Sequence, residues 1–364
     1  MNTRRGRNWP LPLVIIVDIL LVGVGLIIFA LFHHVIPQDV GLAGQALPTL
    51  ASGTPAAVTT ASSSGNIEGT SVSTAPLSGV TKPSQTQMQT SSSQSASSTT
   101  AKTDQPPLEG MFAEKFRDKF TTGAVEKTAD SYKSAHLNVT VKKVSTGKIA
   151  YTVIDIYVAD LKYFRTAFAT GKYARGVTTT VLKMAKDNQA VAAISGDYYG
   201  IRDKGIVIRN GILYREKLYR DVLIMNNDGS MQTFAAAEFD IKTVLKNGAW
   251  QGWSFGPMLL KDGQPMTSFD SDVNLANPRG TIGYYEPGHY CFVLVDGRQP
   301  GYSEGMTTRQ LSQLFYDLGC IVAYNLDGGQ SAIVTFMDKI ANRPYEGGRE
   351  ISDIIYVTDE LPEG

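Results

Sequence analysis

One carboxylate stands at the end of an apolar run and is followed at once by two glycines. The run extends from Cys320 to Leu326, and Asp327, Gly328 and Gly329 come next. A short apolar run bounded by turn residues is typical of an interior β-strand. We therefore expect Asp327 where that strand ends, with glycines that allow a ligand to approach the backbone closely. The other interpretation is that Asp-Gly-Gly is only a turn.

Further segments have the same combination of glycine with a charged residue. They are Ser195-Gly196-Asp197-Tyr198-Tyr199, Asn277-Pro278-Arg279-Gly280-Thr281 and Val295-Asp296-Gly297-Arg298. Together with the first stretch they supply three carboxylates and two guanidinium groups. Carboxylates can act as general acids and bases, and an arginine side chain can donate two parallel hydrogen bonds to a phosphate. The plain alternative is that each arginine forms a salt bridge with one of the aspartates.

With Phe255-Gly256-Pro257 included, these segments stand in an order that resembles the phosphodiester glycosidase family. The resemblance extends from about Phe112 to the end of the chain. It implies a hydrolase that cleaves a sugar 1-phosphodiester in a phosphorylated glycan or a cell-wall polymer. Cleaving a glycosidic bond classically takes two carboxylates, but a phosphate leaves as a stabilised anion and needs positive charge more than an acid.

The resemblance also assigns candidate site residues. The catalytic candidates are Asp327, Asp296 and Asp197. The candidates for binding the substrate or its phosphate are Arg279, Arg298, Asn325, Gly328, Gly329, Gln330, Ser331 and Tyr198. As working hypotheses, Asp327 and Asp296 share the acid–base work, Arg279 holds the phosphate, and Asp197 orients the sugar hydroxyls.

The chain departs from the family pattern at a few positions. Gln330 replaces a third glycine, Ala332 replaces a second serine, and Ser195 stands where the family often has asparagine. A bulky polar side chain at position 330 should narrow the pocket or add a hydrogen-bond donor. Ser331 either donates to the substrate or caps the turn, and Tyr198 is a candidate for stacking on a sugar.

Other catalytic chemistries find little support. The region after the linker contains two histidines, His136 and His289, and neither has a supporting nucleophile motif. The two cysteines, Cys291 and Cys320, lie between apolar residues, which favours two buried thiols over a disulfide. We predict no cofactor. The alternative is a divalent metal such as calcium, held by converging aspartates.

The elements that must position these residues can be predicted from periodicity. Helices are expected at Met111 to Phe120, Thr178 to Asn188 and Thr307 to Leu318, the last with a capping box formed by Thr307 and Gln310. The expected strands are Leu137 to Val144, Ile149 to Val158, Ala190 to Ile194, Ile333 to Met337 and Ile351 to Thr358. The prediction is an α+β fold with a large mixed, mainly antiparallel β-sheet core and packed helices.

The N-terminal part of the chain has a different composition. We expect a basic cytoplasmic tail at 1–10, a transmembrane signal anchor at 11–35, a Ser/Thr-rich flexible linker at 36–107 and the glycosidase-like domain at 108–364. The apolar anchor is long enough to cross about 30 Å of hydrocarbon, and the arginines before it favour a cytoplasmic N-terminus. The expected location is the cell membrane, with the C-terminal domain on the extracytoplasmic side.

The predicted partners are therefore a phosphorylated glycan or cell-wall glycopolymer and the membrane. The formal net charge is zero and no nucleic-acid motif is present, so no nucleic-acid partner is expected. Two rival interpretations remain open at this point. One is a non-catalytic module that binds a cell-envelope glycopolymer, and the other is a structural envelope protein.

Overall fold

The computed structural model describes residues 24, 45–46 and 108–361 of the 364-residue chain. The predicted tail, and nearly all of the predicted anchor and linker, lie outside these residues. Within the described residues, no helix has both the length and the hydropathy that a membrane crossing requires.

The largest sheet has seven strands in the order β17-β15-β16-β5-β4-β3-β2. Their bounds are β2 Glu126–Lys127, β3 Ser131–Lys133, β4 Leu137–Thr146, β5 Ile149–Val158, β15 Arg279–Glu286, β16 His289–Val295 and β17 Val322–Asn325. One face of β5 and β16 is buried in the central core, and the opposite face packs beneath a helix.

Two further sheets share that central core. A five-stranded sheet has the order β19-β18-β7-β20-β6, and a six-stranded sheet has the order β1-β9-β8-β12-β10-β11. The strands of the first are β6 Phe164–Phe168, β7 Ala192–Ser195, β18 Val334–Phe336, β19 Lys339–Ile340 and β20 Asp353–Val357. Those of the second are β1 Gln45–Ala46, β8 Val207–Arg209, β9 Ile212–Arg215, β10 Val222–Asn226, β11 Met231–Phe234 and β12 Ala249–Trp253. A separate hairpin pairs β13 Leu260–Lys261 with β14 Gln264–Pro265.

Three α-helices lie within residues 108–361, and each begins at a side chain that caps its free N–H groups. They are α1 Val181–Asp187, α2 Ile241–Lys246 and α3 Thr308–Asp317, capped by Thr180, Asp240 and Thr307. The predicted capping box between Thr307 and Gln310 is present. Short 3-10 turns occupy Arg117–Lys119, Leu161–Tyr163, Tyr199–Ile201, Ala236–Glu238, Gly329–Ser331 and Tyr345–Gly347.

The α+β prediction is confirmed, but the sheet core differs from it in two respects. There are three main sheets instead of one, and every pair of named strands in the described residues is antiparallel, so the core is not mixed. The predicted helix from Met111 to Phe120 is also wrong: this segment forms turns and one 3-10 turn. The N-terminal end of this segment bonds to another part of the chain, because the Phe112 N–H donates to the Ala159 carbonyl. The three phenylalanines of the segment are buried in the core.

Helix α3 covers the outer face of the seven-stranded sheet. Leu311 and Phe315 of the helix are buried against a layer that includes Cys291 and Cys320. Both cysteines are free and buried, as predicted, with their Sγ atoms 3.8 Å apart. Gly283 lies beneath this contact, where a Cβ atom would come within 2.7 Å of both Cys291 Sγ and the Phe315 ring.

We therefore predict that Gly283→Ala destabilises the fold by about 1–3 kcal/mol, because the added methyl group overpacks the layer under α3. The measurement is the free energy of unfolding in urea. Gly123→Ala is the matched control, since the nearest atom to a Cβ at that position is 3.6 Å away. Equal stability of the two variants would contradict the prediction.

Candidate functional site

The motif segments meet where three neighbouring strands of the seven-stranded sheet have their ends at one edge. Strand β15 begins at Arg279, which pairs with Val295 at the end of β16. Thr281 of β15 pairs with Asn325, the last residue of β17. Antiparallel pairing thus brings the start of one strand and the ends of its two neighbours to the same edge.

A cleft of about 330 Å³ opens at this edge. Seven of the predicted site residues line it: Tyr198, Arg279, Arg298, Asn325, Asp327, Gly328 and Gly329. The remaining lining residues are Ile201, Arg202, Tyr219, Arg220, Phe255, Ser271, Asp272, Val273, Asn277 and Pro278. The cleft therefore contains four guanidinium groups and two carboxylates.

Arg279 is buried, yet its partners are neutral. Its Nε donates to the Met306 carbonyl at 3.2 Å, and its Nη2 donates to the carbonyls of Val273 and Leu275 at 2.9 and 2.7 Å. Burial, together with the positive charge of Arg298, lowers the pKa of the Arg279 guanidinium to about 10. The side chain remains protonated at neutral pH and carries a charge that no described carboxylate balances by an ion pair.

Arg298 adds a second positive charge, and its hydrogen-bond partner is also neutral. Its Nε and Nη2 donate to Asn277 Oδ1 at 3.0 and 2.8 Å, and its guanidinium lies 5.6 Å from the centre of the Tyr345 ring. Its backbone has a φ of 57°, a left-handed conformation that is uncommon outside glycine. Like Arg279, it forms no ion pair with a described carboxylate, so the salt-bridge interpretation of these two arginines is not supported.

Asp327 is the buried carboxylate of the cleft. Its Oδ1 accepts from the Gly328 N–H at 2.9 Å, and its Oδ2 accepts from Arg349 Nη2 at 3.0 Å. Burial raises the pKa of the Asp327 carboxyl above its ordinary value, and the nearby Ser331 hydroxyl and Arg349 guanidinium oppose that shift. Its backbone N–H donates to the Gly196 carbonyl at 3.1 Å, which ties the end of β17 to the segment after β7.

Arg349 is a functional candidate that the sequence reasoning missed. Besides Asp327 it contacts Ser331, to which its Nε donates, and Tyr198, whose ring centre lies 4.3 Å from the guanidinium. Ser331 thus positions Arg349, and Tyr198, with a φ of 59°, presents its ring to the same group. The signal in the sequence is a single arginine after Gly347-Gly348, which by itself is too common to single out.

The glycines after Asp327 are needed for contacts between protein segments. A Cβ at Gly328 would come within 2.6 Å of the Pro278 carbonyl, and Gly329 has a φ of 61° beside Arg298. Gln330, the departure from the family pattern, is not among the residues lining the cleft. The side-chain amide of Gln330 donates to the Glu346 carboxylate at 3.4 Å, and the backbone carbonyl of Gln330 accepts from the backbone N–H of Arg349.

Asn325 lines the cleft with a buried side-chain amide. Its Nδ2 donates to the carbonyls of Gly256 and Leu326, at 2.9 and 3.0 Å, which fixes the orientation of the amide because a flipped group would face two carbonyls with its oxygen. The Oδ1 atom is buried and has no hydrogen-bond partner within the part of the chain that the structure describes. A ligand that reaches Asn325 must therefore offer a donor, such as a hydroxyl or an amide N–H.

Asp197 lies behind the cleft, in a buried ion triad. Its Oδ1 and Asp353 Oδ2 both accept from Arg209 Nη2 at 2.9 Å, and all three side chains are 1% exposed. Burial raises the pKa of Asp353, an effect that Arg209 opposes and Asp197 reinforces. The backbone of this segment contacts one cleft residue, since the Asp197 carbonyl accepts from Arg202 Nη2 at 2.7 Å.

Asp296 lines a second cavity, of about 250 Å³, and not the cleft. Its carboxylate accepts from Tyr302 Oη and Asn342 Nδ2, each at 2.8 Å, and from the Arg343 N–H. Burial raises the pKa of Asp296, and these hydrogen bonds oppose the shift. The structure thus does not bring Asp296, Asp197 and Asp327 together. Across the described residues, no group of three or more His, Cys, Asp or Glu side chains is placed to hold a metal ion.

Part of the chain matches a known protein family. Residues 188–358 match the family model described as phosphodiester glycosidase. The SPbeta prophage-derived uncharacterized protein YomE of Bacillus subtilis is 32% identical over 178 residues, which cover 46% of this chain and 28% of that protein. The chain thus matches less than a third of the length of this curated relative.

One solved structure supports the fold. The catalytic domain of zebrafish N-acetylglucosamine-1-phosphodiester alpha-N-acetylglucosaminidase, in a form auto-inhibited by its pro-peptide, aligns with a TM-score of 0.50 and 18% identity. The alignment covers 66% of this chain and 86% of that one. A hypothetical protein from Synechocystis aligns with a TM-score of 0.44 and 14% identity over 65% of this chain and 64% of its own.

The ion triad generates a stability prediction. Arg209→Met leaves two buried carboxylates without their cation and should cost about 3–5 kcal/mol at neutral pH. Removing the cation raises the pKa of Asp353 in the folded state further above its value in the unfolded chain. The folded variant must then keep protons that the unfolded chain releases, so its stability should fall as the pH rises from 5 to 8.

The measurement is urea unfolding at several pH values. Lys183→Met is the control, because it breaks only the exposed pair with Asp187, for which we expect less than about 1 kcal/mol. If the loss in the free energy of unfolding of Arg209→Met does not grow with pH, then the two buried carboxylates of the triad are not ionised groups that depend on Arg209.

Proposed function

Residues 188–358 belong to the phosphodiester glycosidase family, and from this premise we propose that the chain hydrolyses the glycosidic bond of a sugar 1-phosphodiester. The observation that carries the proposal is the composition of the cleft. Two guanidinium groups, with no carboxylate paired to them among the described residues, lie in the same cleft as one buried carboxylate.

The two arginines fit the leaving group. Cleavage of the bond between the sugar C1 and the phosphate oxygen leaves an electron pair on that oxygen and releases a phosphate monoester. The product carries more negative charge than the diester, so positive charge beside it stabilises the transition state more than the ground state. Arg279 and Arg298 are preorganised for this role, because neutral partners hold them in place without balancing their charge.

Asp327 fits the role of general base. A phosphate needs little protonation to leave, so the chemistry requires a group that activates water rather than a second acid. The water oxygen bonds to C1, one of its protons passes to the Asp327 carboxylate, and the C1–O bond breaks. Asp272, the other carboxylate of the cleft, is exposed and paired with Arg220, which makes it the weaker candidate.

The neutral groups of the cleft fit the sugar. The unpaired Oδ1 of Asn325 requires a donor, which a sugar hydroxyl or acetamido N–H supplies and a phosphate dianion does not. The ring of Tyr198 borders the same region. We accordingly place the sugar beside Asn325 and Asp327, and the phosphate beside Arg279 and Arg298.

The wider setting is also a proposal. The predicted anchor at 11–35 would hold the domain on the extracytoplasmic side of the cell membrane, and the substrate would be part of a phosphorylated glycan or a cell-wall polymer. A non-catalytic module that binds the same glycopolymer is the alternative, and it differs from the enzyme in a single observable, namely turnover.

The test is to incubate the full-length protein with a panel of sugar 1-phosphodiesters, UDP-sugars included, and to measure the reducing sugar released. Asp327→Asn should lower the rate about 10²–10⁴-fold, since it removes the base but keeps the size of the side chain. Arg279→Gln should also lower the rate, because the leaving group loses a cation.

Asp187→Asn on α1 is the matched control and should leave the rate unchanged, because Asp187 is exposed and pairs only with Lys183. Binding of a panel member without turnover by the folded wild-type protein would favour the binding module. Full turnover by Asp327→Asn would remove the carboxylate from the mechanism.

Arg349 yields a pH prediction. The enzyme requires ionised Asp327, so its rate should fall as the pH falls through the pKa of that carboxyl. Arg349 opposes the upward shift of this pKa, and Arg349→Met should therefore move the acidic limb of the rate profile to higher pH. Arg343→Met is the control, because Arg343 lies over Tyr302 at the second cavity. If the acidic limb of the rate profile does not move in Arg349→Met, the limb reports the titration of a group other than Asp327.

A further inference from the structure

Several large exposed hydrophobic residues line the cleft or lie within two residues of one that does. There are five of them among the described residues, and we refer to them as the apolar rim: Ile201 57%, Leu218 37%, Tyr219 38%, Val273 50% and Leu275 79%. Ile201, Tyr219 and Val273 line the cleft itself, and Leu218 and Leu275 lie beside them in the chain. Single exposed hydrophobic residues are ordinary, but a cluster at a binding cleft is typical of an interaction site.

Hydrogen bonds connect the backbone of the rim to an arginine of the cleft. The backbone carbonyls of Val273 and Leu275 hold Arg279 Nη2, so these two rim residues lie next to the proposed phosphate site. Arg220 forms an ion pair with Asp272 and lies 5.1 Å from the Tyr219 ring centre, which connects the segment at 218–220 with the segment at 271–275. Hydrophobic side chains and unbalanced positive charge therefore border one another.

This arrangement is complementary to an amphiphilic anion. A phosphodiester matches the two guanidinium groups, and a hydrocarbon chain attached to it would cover rim surface that is otherwise exposed to water. A carbohydrate aglycone would instead need polar partners, and the rim side chains offer few. The sugar end is already assigned to Asn325 and Asp327, so the rim receives the other substituent of the phosphate.

We propose that the apolar rim binds the hydrocarbon chain of the alcohol esterified to the phosphate, so that the substrate class is a sugar 1-phosphodiester of a long-chain alcohol. This inference rests on the proposed hydrolysis of a sugar 1-phosphodiester, and it assigns a long-chain alcohol to the phosphate in place of the glycan or cell-wall polymer of the wider setting. Hydrolysis of such a compound releases the free sugar and an alkyl phosphate.

The test measures binding and needs no sugar. The probes are dimethyl phosphate, methyl butyl phosphate and methyl hexyl phosphate, each titrated into the full-length protein in one fixed buffer and detergent, with Kd obtained from NMR shifts. We expect Kd to fall at least about tenfold from dimethyl to methyl hexyl phosphate, because the added methylene groups leave water.

The variant of interest combines Ile201→Ser, Val273→Ser and Leu275→Ser. It should bind dimethyl phosphate as the wild type does but lose the dependence of Kd on chain length. The matched control combines Met111→Ser, Ile340→Ser and Leu361→Ser, which are also exposed but do not line the cleft, and it should keep that dependence. Partitioning of the probes into detergent is the same for every variant, so the comparison isolates the rim.

Leu275→Ser alone, at the most exposed rim position, provides a second variant if the triple variant does not fold, and it should weaken the dependence on chain length. A Kd independent of chain length in the wild type would overturn the inference, as would an unchanged dependence in the rim variants. The proposed function is judged separately, by sugar release. A chain-length effect in a protein that releases no sugar would retain the rim as a hydrocarbon site and reject the hydrolase.

Discussion

The site depends on the antiparallel register at one edge of the seven-stranded sheet. Pairing of Arg279 with Val295 and of Thr281 with Asn325 brings segments separated by many residues to a single place. The bond from the Asp327 N–H to the Gly196 carbonyl then joins this edge to the segment after β7. A shift of one residue in β15 would turn its side chains to the other face of the sheet, and the cleft would lose Arg279.

The arginines of this region differ in how their charge is balanced. That difference distinguishes an arginine that stabilises the fold from those that we propose bind the phosphate. Arg209 is enclosed by two carboxylates and serves the fold. Arg279 and Arg298 are held by carbonyl and amide oxygens, which satisfy the N–H groups but leave the positive charge uncompensated. Arg279 is buried, and burying its charge is unfavourable in the free protein, so an anion that enters the cleft relieves that cost.

The two aspartates other than Asp327 show how similar motifs acquire different roles. Asp296 and Arg298 are two residues apart, yet Asp296 borders the second cavity and Arg298 borders the cleft. Asp197 precedes Tyr198, whose ring borders the cleft, while its own carboxylate is bound to Arg209. Position within a motif therefore does not fix where a side chain lies, because its direction depends on its partners in space.

Local physical chemistry was sufficient for much of this protein. The capping box of α3, the strand leading to Asp327 and the burial of the two cysteines follow from neighbouring residues and hydrophobic periodicity, so the sequence alone determined them. Three features were decided only by the tertiary structure: the contact of Arg349 with Asp327, the capture of Asp197 by Arg209, and the apolar rim beside Arg279. Each joins residues far apart in the chain, and no local pattern encodes which distant partner a charge or an exposed side chain will meet.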